Sequence, residues 1–129
     1  MIVTTLLAQA EAALGGATGL PRGTRARIAA WYARAALEDV TSELLRDKLD
    51  CDPHELTMAS RLACLRVLRP ELSDEAGHAW WALSRLCHQH AFELSPTAAE
   101  VSHLIEQVAR LVKFAVMPEA KDKAPRLTV

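Results

Sequence analysis

Residues 101–115 read VSHLIEQVARLVKFA, and in this stretch Val101, Leu104, Ile105, Val108, Leu111, Val112 and Ala115 recur at steps of three, four and seven. An α-helix turns once every ~3.6 residues, so these side chains share one face while His103, Glu106, Arg110 and Lys113 take the opposite one. One side packs and the other is wetted. The rest of the chain carries the same bias, with 23 Ala and 19 Leu against 8 Val and 3 Ile. Small or unbranched apolar side chains lose less rotamer freedom in a helix than β-branched ones do. The sequence predicts an all-α fold, an up-and-down helical bundle of four to five helices.

Glycine and proline place the helix boundaries. Four of the five glycines lie between Gly15 and Gly23, and prolines fall at 21, 53, 70, 96, 118 and 125. A first helix from about Thr4 to Leu14 ends at Gly15-Gly16, and a loop through Pro21 leads to Thr24, the expected N-cap of a long second helix reaching Leu49. Asp52-Pro53-His54-Glu55 supplies a cap, a proline at the first helical position and an acid, which predicts a third helix from Pro53 to Leu68, stopped by Arg69-Pro70. Ser73 and the acids after it open a fourth helix from Asp74 to about Leu94, and Ser95-Pro96 opens the fifth. Residues 1–117 are read as a single helical bundle domain and 118–129 as a mobile polar tail.

With 129 residues, 50% hydrophobic and 24% charged, the chain has room for one core. Fifteen basic residues stand against sixteen acidic ones, so no global charge excess drives binding, and a charged site has to be local. Charges interrupt every apolar run well short of the ~18 residues a membrane span needs, so no membrane association is expected. Met1 to Leu14 has no basic residue ahead of its apolar part and contains Glu11, which does not suit a signal peptide. Cys51, Cys64 and Cys87 have no metal-ligand spacing and read as reduced thiols of a cytoplasmic protein. The five histidines, at 54, 78, 88, 90 and 103, include no pair at i, i+4, so no metal site is expected. Gly15 to Gly19 lacks the lysine of a phosphate loop, and Ser84, Ser95 and Ser102 lack a nucleophile-elbow context; no cofactor is implied.

The fourth helix is the most informative for function. In helical projection Ala79, Trp80, Leu83, Leu86, Cys87, His90, Ala91 and Leu94 gather on one broad face, and Trp81, Arg85, His88 and Phe92 on the other. The second face is too aromatic for plain solvent. Either Trp81 and Phe92 cover a neighbouring loop or the first helix, with the Arg85 stem laid across them, or Trp81, Arg85, His88 and Phe92 form a partner interface of the kind hot spots favour, a self-association surface included.

Residues 83–97, LSRLCHQHAFELSPT, contain Arg85, four residues, then His90. This resembles the R-x4-6-H motif of the HEPN superfamily, small helical-bundle proteins of toxin-antitoxin, restriction and other conflict systems, and the similarity extends over the helical order from about Thr24 to Lys113. The residue after the arginine, usually polar in active members, is Leu86 here. The resemblance implies that Arg85 and His90 of two protomers meet at a homodimer interface and cleave RNA without a metal, and that a protein such as an antitoxin is a partner. Positions five apart on a straight helix diverge by ~140°, so Arg85 and His90 do not meet within one chain, whereas His88, three from Arg85, shares its face and rivals His90 for the role. An imidazole that moves the 2'-OH proton and a guanidinium that stabilises phosphate charge are sufficient for such chemistry. A core-edge histidine bonded to a backbone carbonyl is the structural alternative for His90.

From Ala12 to Leu37 there is no acidic residue, while Arg22, Arg25, Arg27 and Arg34 give a local charge of +4. The first three lie near the start of the second helix, where free backbone N–H groups also favour anions, so these four arginines are candidates for contacting nucleic acid. A solvated basic loop explains the same residues without a ligand. Two functions stand side by side: a dimeric, metal-independent endoribonuclease or toxin, and a non-catalytic helical module that binds a protein encoded beside it.

Overall fold

Alanine governs how the first two helices meet. In a computed structural model of the chain, α1 (Ile2–Leu14) lies along α2 (Arg22–Leu45), and the seam between them is built from Val3, Leu7, Ala10 and Ala13 on one side and Ala26, Ala29, Ala30 and Ala33 on the other, all buried. Small side chains allow two backbones to approach closely. The structure describes residues 2–16, 19–88 and 96–116. After α2 come a 3-10 turn (Pro53–Glu55), α3 (Met58–Leu68), α4 (Pro70–Cys87) and α5 (Ala98–Val116). The fold is an all-α helical bundle without a strand among the described residues. No helix among them is long and apolar enough to cross a membrane.

α2 is the central strut and touches α1, α3, α4 and α5. It therefore buries residues around most of its circumference, including Ala36, Leu37, Val40, Thr41, Leu44 and Leu45, which is why its sequence shows no single apolar stripe. α5 shows the opposite case. Val101, Leu104, Ile105, Val108 and Leu111 are buried, Val112 and Ala115 half-buried, and His103, Glu106, Arg110 and Lys113 exposed, as its periodicity predicts.

Several helix ends differ from the sequence expectation. α1 begins at Ile2 instead of Thr4. α2 starts at Arg22, with Pro21 in the cap position and its carbonyl accepting the Arg25 N–H at 3.0 Å, so Thr24 lies inside the first turn. It stops at Leu45 instead of Leu49, because Arg46 turns extended and Asp47 takes a positive φ of 65°. α4 opens at Pro70, a residue suited to the first helical position because its missing N–H would have no partner there. Ser73 is not its cap; its hydroxyl donates to the Pro70 carbonyl at 3.2 Å. Thr97 caps α5, accepting the Glu100 N–H at 3.0 Å. α4 ends at Cys87, where the His88 backbone leaves the helix, instead of running unbroken to Leu94; residues 89–95 and the tail at 118–129 lie outside the described residues.

The expected continuous helix from Pro53 to Leu68 is broken in two, and a buried arginine within it ties the break to α2. Arg61 is only 6% exposed, and its guanidinium gathers backbone carbonyls. Nε donates to Pro53 and Leu56 at 2.9 and 3.1 Å, Nη2 to His54 at 3.2 Å, and Nη1 to Glu38 of α2 at 2.9 Å. A buried charge demands such partners, and carbonyls drawn toward one point cannot all align along a helix axis. Asp52 still caps the short turn through the His54 N–H at 3.0 Å, and Thr57 starts α3 afresh by accepting the Ser60 N–H at 3.1 Å.

Candidate functional site

The functional groups concentrate on the outward side of α4. Leu72, Ala76, Ala79, Leu83 and Leu86 face the core, which leaves His78, Trp81 and Arg85 along the solvent side at steps of three and four. Trp81 is 61% exposed: it stands in water instead of covering a loop or α1. The Arg85 guanidinium lies 5.3 Å from the Trp81 ring centroid, a cation–π contact across one helical turn. Arg85 makes no ion pair with any described residue.

Arg85 and His88 line different grooves. On one side, Arg85 joins Trp81, His78, Glu100, His103 and Leu104 around a groove of about 190 Å³ between α4 and α5. On the other, His88 joins Trp31, Arg34, Ala35, Glu38 and Cys87 around one of about 390 Å³ between α4 and α2. The helix ends at Cys87, and His88, with φ −106° and ψ 19°, is already leaving it. Within one chain the spacing of three therefore does not bring this arginine and histidine into one cleft. His90 and Phe92 lie outside the described residues.

The four arginines of the acid-free stretch separate. Arg22 is exposed on the first turn of α2, and Arg25 and Arg27 are half-buried. The Arg25 guanidinium folds over Gly16, where a Cβ would collide with it; Gly16 also has a φ of 81°, which a side chain would strain. The Nε atoms of Arg25 and Arg27 are buried, with no hydrogen-bond partner among the described residues. Arg34 belongs to the α2–α4 joint: its Cζ sits 4.1 Å from the Trp80 ring centroid, Nε donates to Ser84 Oγ at 3.1 Å, and Nη1 is 3.6 Å from the Glu38 carboxylate. Its charge is already engaged.

The three thiols are free. Burial pushes the Cys87 thiol up to about 11, against the opposing pull of Arg34, and burial also raises Cys64, with Cys51 adding to it. A thiol held protonated at neutral pH is a poor nucleophile. His54 bridges two carboxylates, with Nδ1 3.2 Å from Asp52 and Nε2 3.4 Å from Asp39. Among the described residues no three His, Cys, Asp or Glu side chains stand together as metal ligands.

Sequence reasoning singled out Arg85 and Trp81 but missed their neighbours across the groove, Glu100 and His103, and missed Trp31, 56% exposed beside His88. His103 was assigned to the outer face of the fifth helix, and no local spacing relates that face to the fourth. No protein-family model, curated protein or solved structure matches this chain.

Proposed function

We propose that this chain is a HEPN-like helical-bundle endoribonuclease that acts without a metal and as a homodimer, the activity of a toxin restrained by an antitoxin-type protein partner. The observation that carries the reading is Arg85: an exposed guanidinium, unpaired by any described carboxylate, stacked beside an exposed indole. Guanidinium binds phosphate oxygens through a planar fork, and indole offers a face on which an unpaired base stacks. Arg22 at the start of α2 adds positive potential elsewhere on the surface. The motif resemblance gives the proton-moving role to His90 across the dimer; His88, past the end of α4, lines a different groove from Arg85.

The test is cleavage of single-stranded RNA by the purified full chain in EDTA, with products carrying the cyclic phosphate that 2'-OH attack leaves. Arg85→Lys should weaken cleavage strongly, since an ammonium lacks the fork. Analytical ultracentrifugation of the wild-type chain should show a dimer. A second reading, a non-catalytic module for a protein partner, is favoured by the two tryptophans that stand in solvent on either side of α4, Trp31 and Trp81. Intact RNA together with tight binding of a protein partner lost in Trp31→Ala and Trp81→Ala would decide for it.

A further inference from the structure

We infer that the groove between α4 and α5 is the site of phosphodiester cleavage, with His78 and His103 as its acid–base pair and Arg85 as its phosphate clamp. The inference rests on the ribonuclease reading and replaces the histidine that the motif supplies. His78, Trp81 and Arg85 fall on one stripe of α4, and Glu100 and His103, one turn apart on α5, face them across the groove. Its floor is apolar, from Ala82, Leu86 and Leu104, and the polar side chains of His78, Arg85, Glu100 and His103 stand above it in solvent.

What distinguishes this groove is that, beyond the Arg85–Trp81 stacking, no described residue engages its polar side chains. One turn further along the same seam, Arg110 of α5 donates through Nε to the Glu75 carboxylate of α4 at 2.9 Å, the usual fate of opposite charges on adjacent helices. In the groove, the side chains of His78, Arg85, Glu100 and His103 form no hydrogen bond or ion pair with any described residue, although a guanidinium and a carboxylate both line it. The groups stand as an open set of donors and acceptors with an aromatic face beside them. The ligand chemistry they fit is a planar base carrying a phosphodiester: Trp81 against the base and Arg85 on the non-bridging oxygens.

The set is complete for strand cleavage of RNA. His103, with the Glu100 carboxylate one turn before it to stabilise the imidazolium, takes the proton of the ribose 2'-OH as the 2'-oxygen forms its bond to phosphorus. The bond from phosphorus to the 5'-oxygen breaks, and that oxygen takes its proton from protonated His78 on the opposite wall. Arg85 holds the charge that gathers on the equatorial oxygens. The products are a 2',3'-cyclic phosphate and a free 5'-OH, and no further reactant enters.

The experiment uses a labelled single-stranded RNA oligonucleotide and its DNA counterpart with the full chain in EDTA, comparing His78→Ala, His103→Ala, His90→Ala and the surface control Glu106→Gln. Binding is followed by quenching of tryptophan fluorescence, and folding by circular dichroism. The inference expects RNA cut and DNA bound but intact, each groove variant reduced about 100-fold or more in cleavage with binding kept, and Glu106→Gln unchanged. Cleavage lost in His90→Ala but retained in both groove variants overturns the groove and leaves the ribonuclease reading standing. RNA left intact by the wild-type chain overturns both. Should either alanine variant fold poorly, His78→Gln and His103→Gln, which keep a polar side chain, must show the same loss for the inference to hold.

Discussion

Replacing Arg61 by methionine removes one guanidinium and strands several backbone carbonyls at once. Four carbonyls accept from it, but two have other donors: Pro53 also receives the Leu56 N–H at 3.0 Å, and Glu38 also receives the Thr41 hydroxyl at 2.9 Å. His54 and Leu56 are the carbonyls whose bonds to Arg61 have no such substitute. Leaving a buried acceptor unmade costs about 1–3 kcal/mol each. Relief of the buried charge returns part of this, so a net loss of about 2–4 kcal/mol is expected. Against a total stability of about 5–15 kcal/mol for a domain, that is a large fraction. Urea denaturation followed by circular dichroism measures it, and an unchanged slope would assign the loss to the native state. Arg61→Lys should fall between wild type and Arg61→Met, since an ammonium cannot reach four carbonyls in a plane. A change under about 0.5 kcal/mol for Arg61→Met, the range of an ordinary surface substitution, would refute the idea that this side chain organises the break before α3.

Leu111, fully buried on α5, should cost about 2–5 kcal/mol as Leu111→Ala, measured by the same denaturation, through lost transfer energy and the cavity left behind. The Asp52 carboxyl is held below its ordinary 3.8 by the His54 N–H and imidazole, with a smaller contribution from Arg46. A depressed folded value means that its contribution is present above the unfolded value and lost as pH falls through the folded one. Wild type should therefore exceed Asp52→Asn in stability at pH 7 and lose that advantage as pH falls through the folded value, read by denaturation across an acid pH series. Cys87, pushed up to about 11, should alkylate with iodoacetamide at pH 7.5 far more slowly than free glutathione, as read by peptide mass spectrometry, and should speed up as pH rises toward that value.

What the sequence revealed follows from the range over which each interaction acts. The buried face of α5 and the pairing of Arg85 with Trp81 depend on neighbours one turn away, and periodicity encodes such neighbours directly. Helix ends were less legible because adjacent signals compete. Pro21 and Thr24 both mark a start, and the proline wins by presetting the backbone. The break before α3 and the engagement of Arg34 were hidden for a deeper reason. Arg61 reaches a carbonyl of α2, and Arg34 reaches Ser84, fifty positions away along the chain, so neither partner lies within any local window. The same holds for the groove. His78 and His103 belong to separate helices, and only the packing of α4 on α5 makes them neighbours.

A single residue, Arg69, separates the last position of α3 from the first of α4. Such a joint has almost no torsional slack, because Pro70 fixes its own φ and restricts the residue before it. The two helices therefore act as the arms of a crank. Arg61 pins one arm to the backbone of α2, and the other packs directly on α2 and α5, so the direction in which Trp81 and Arg85 point is held at both the elbow and that packing. The aim of an exposed groove is in this way shared between a buried charge on α3 and the core packing of α4, and an added residue at the elbow would set the two against each other.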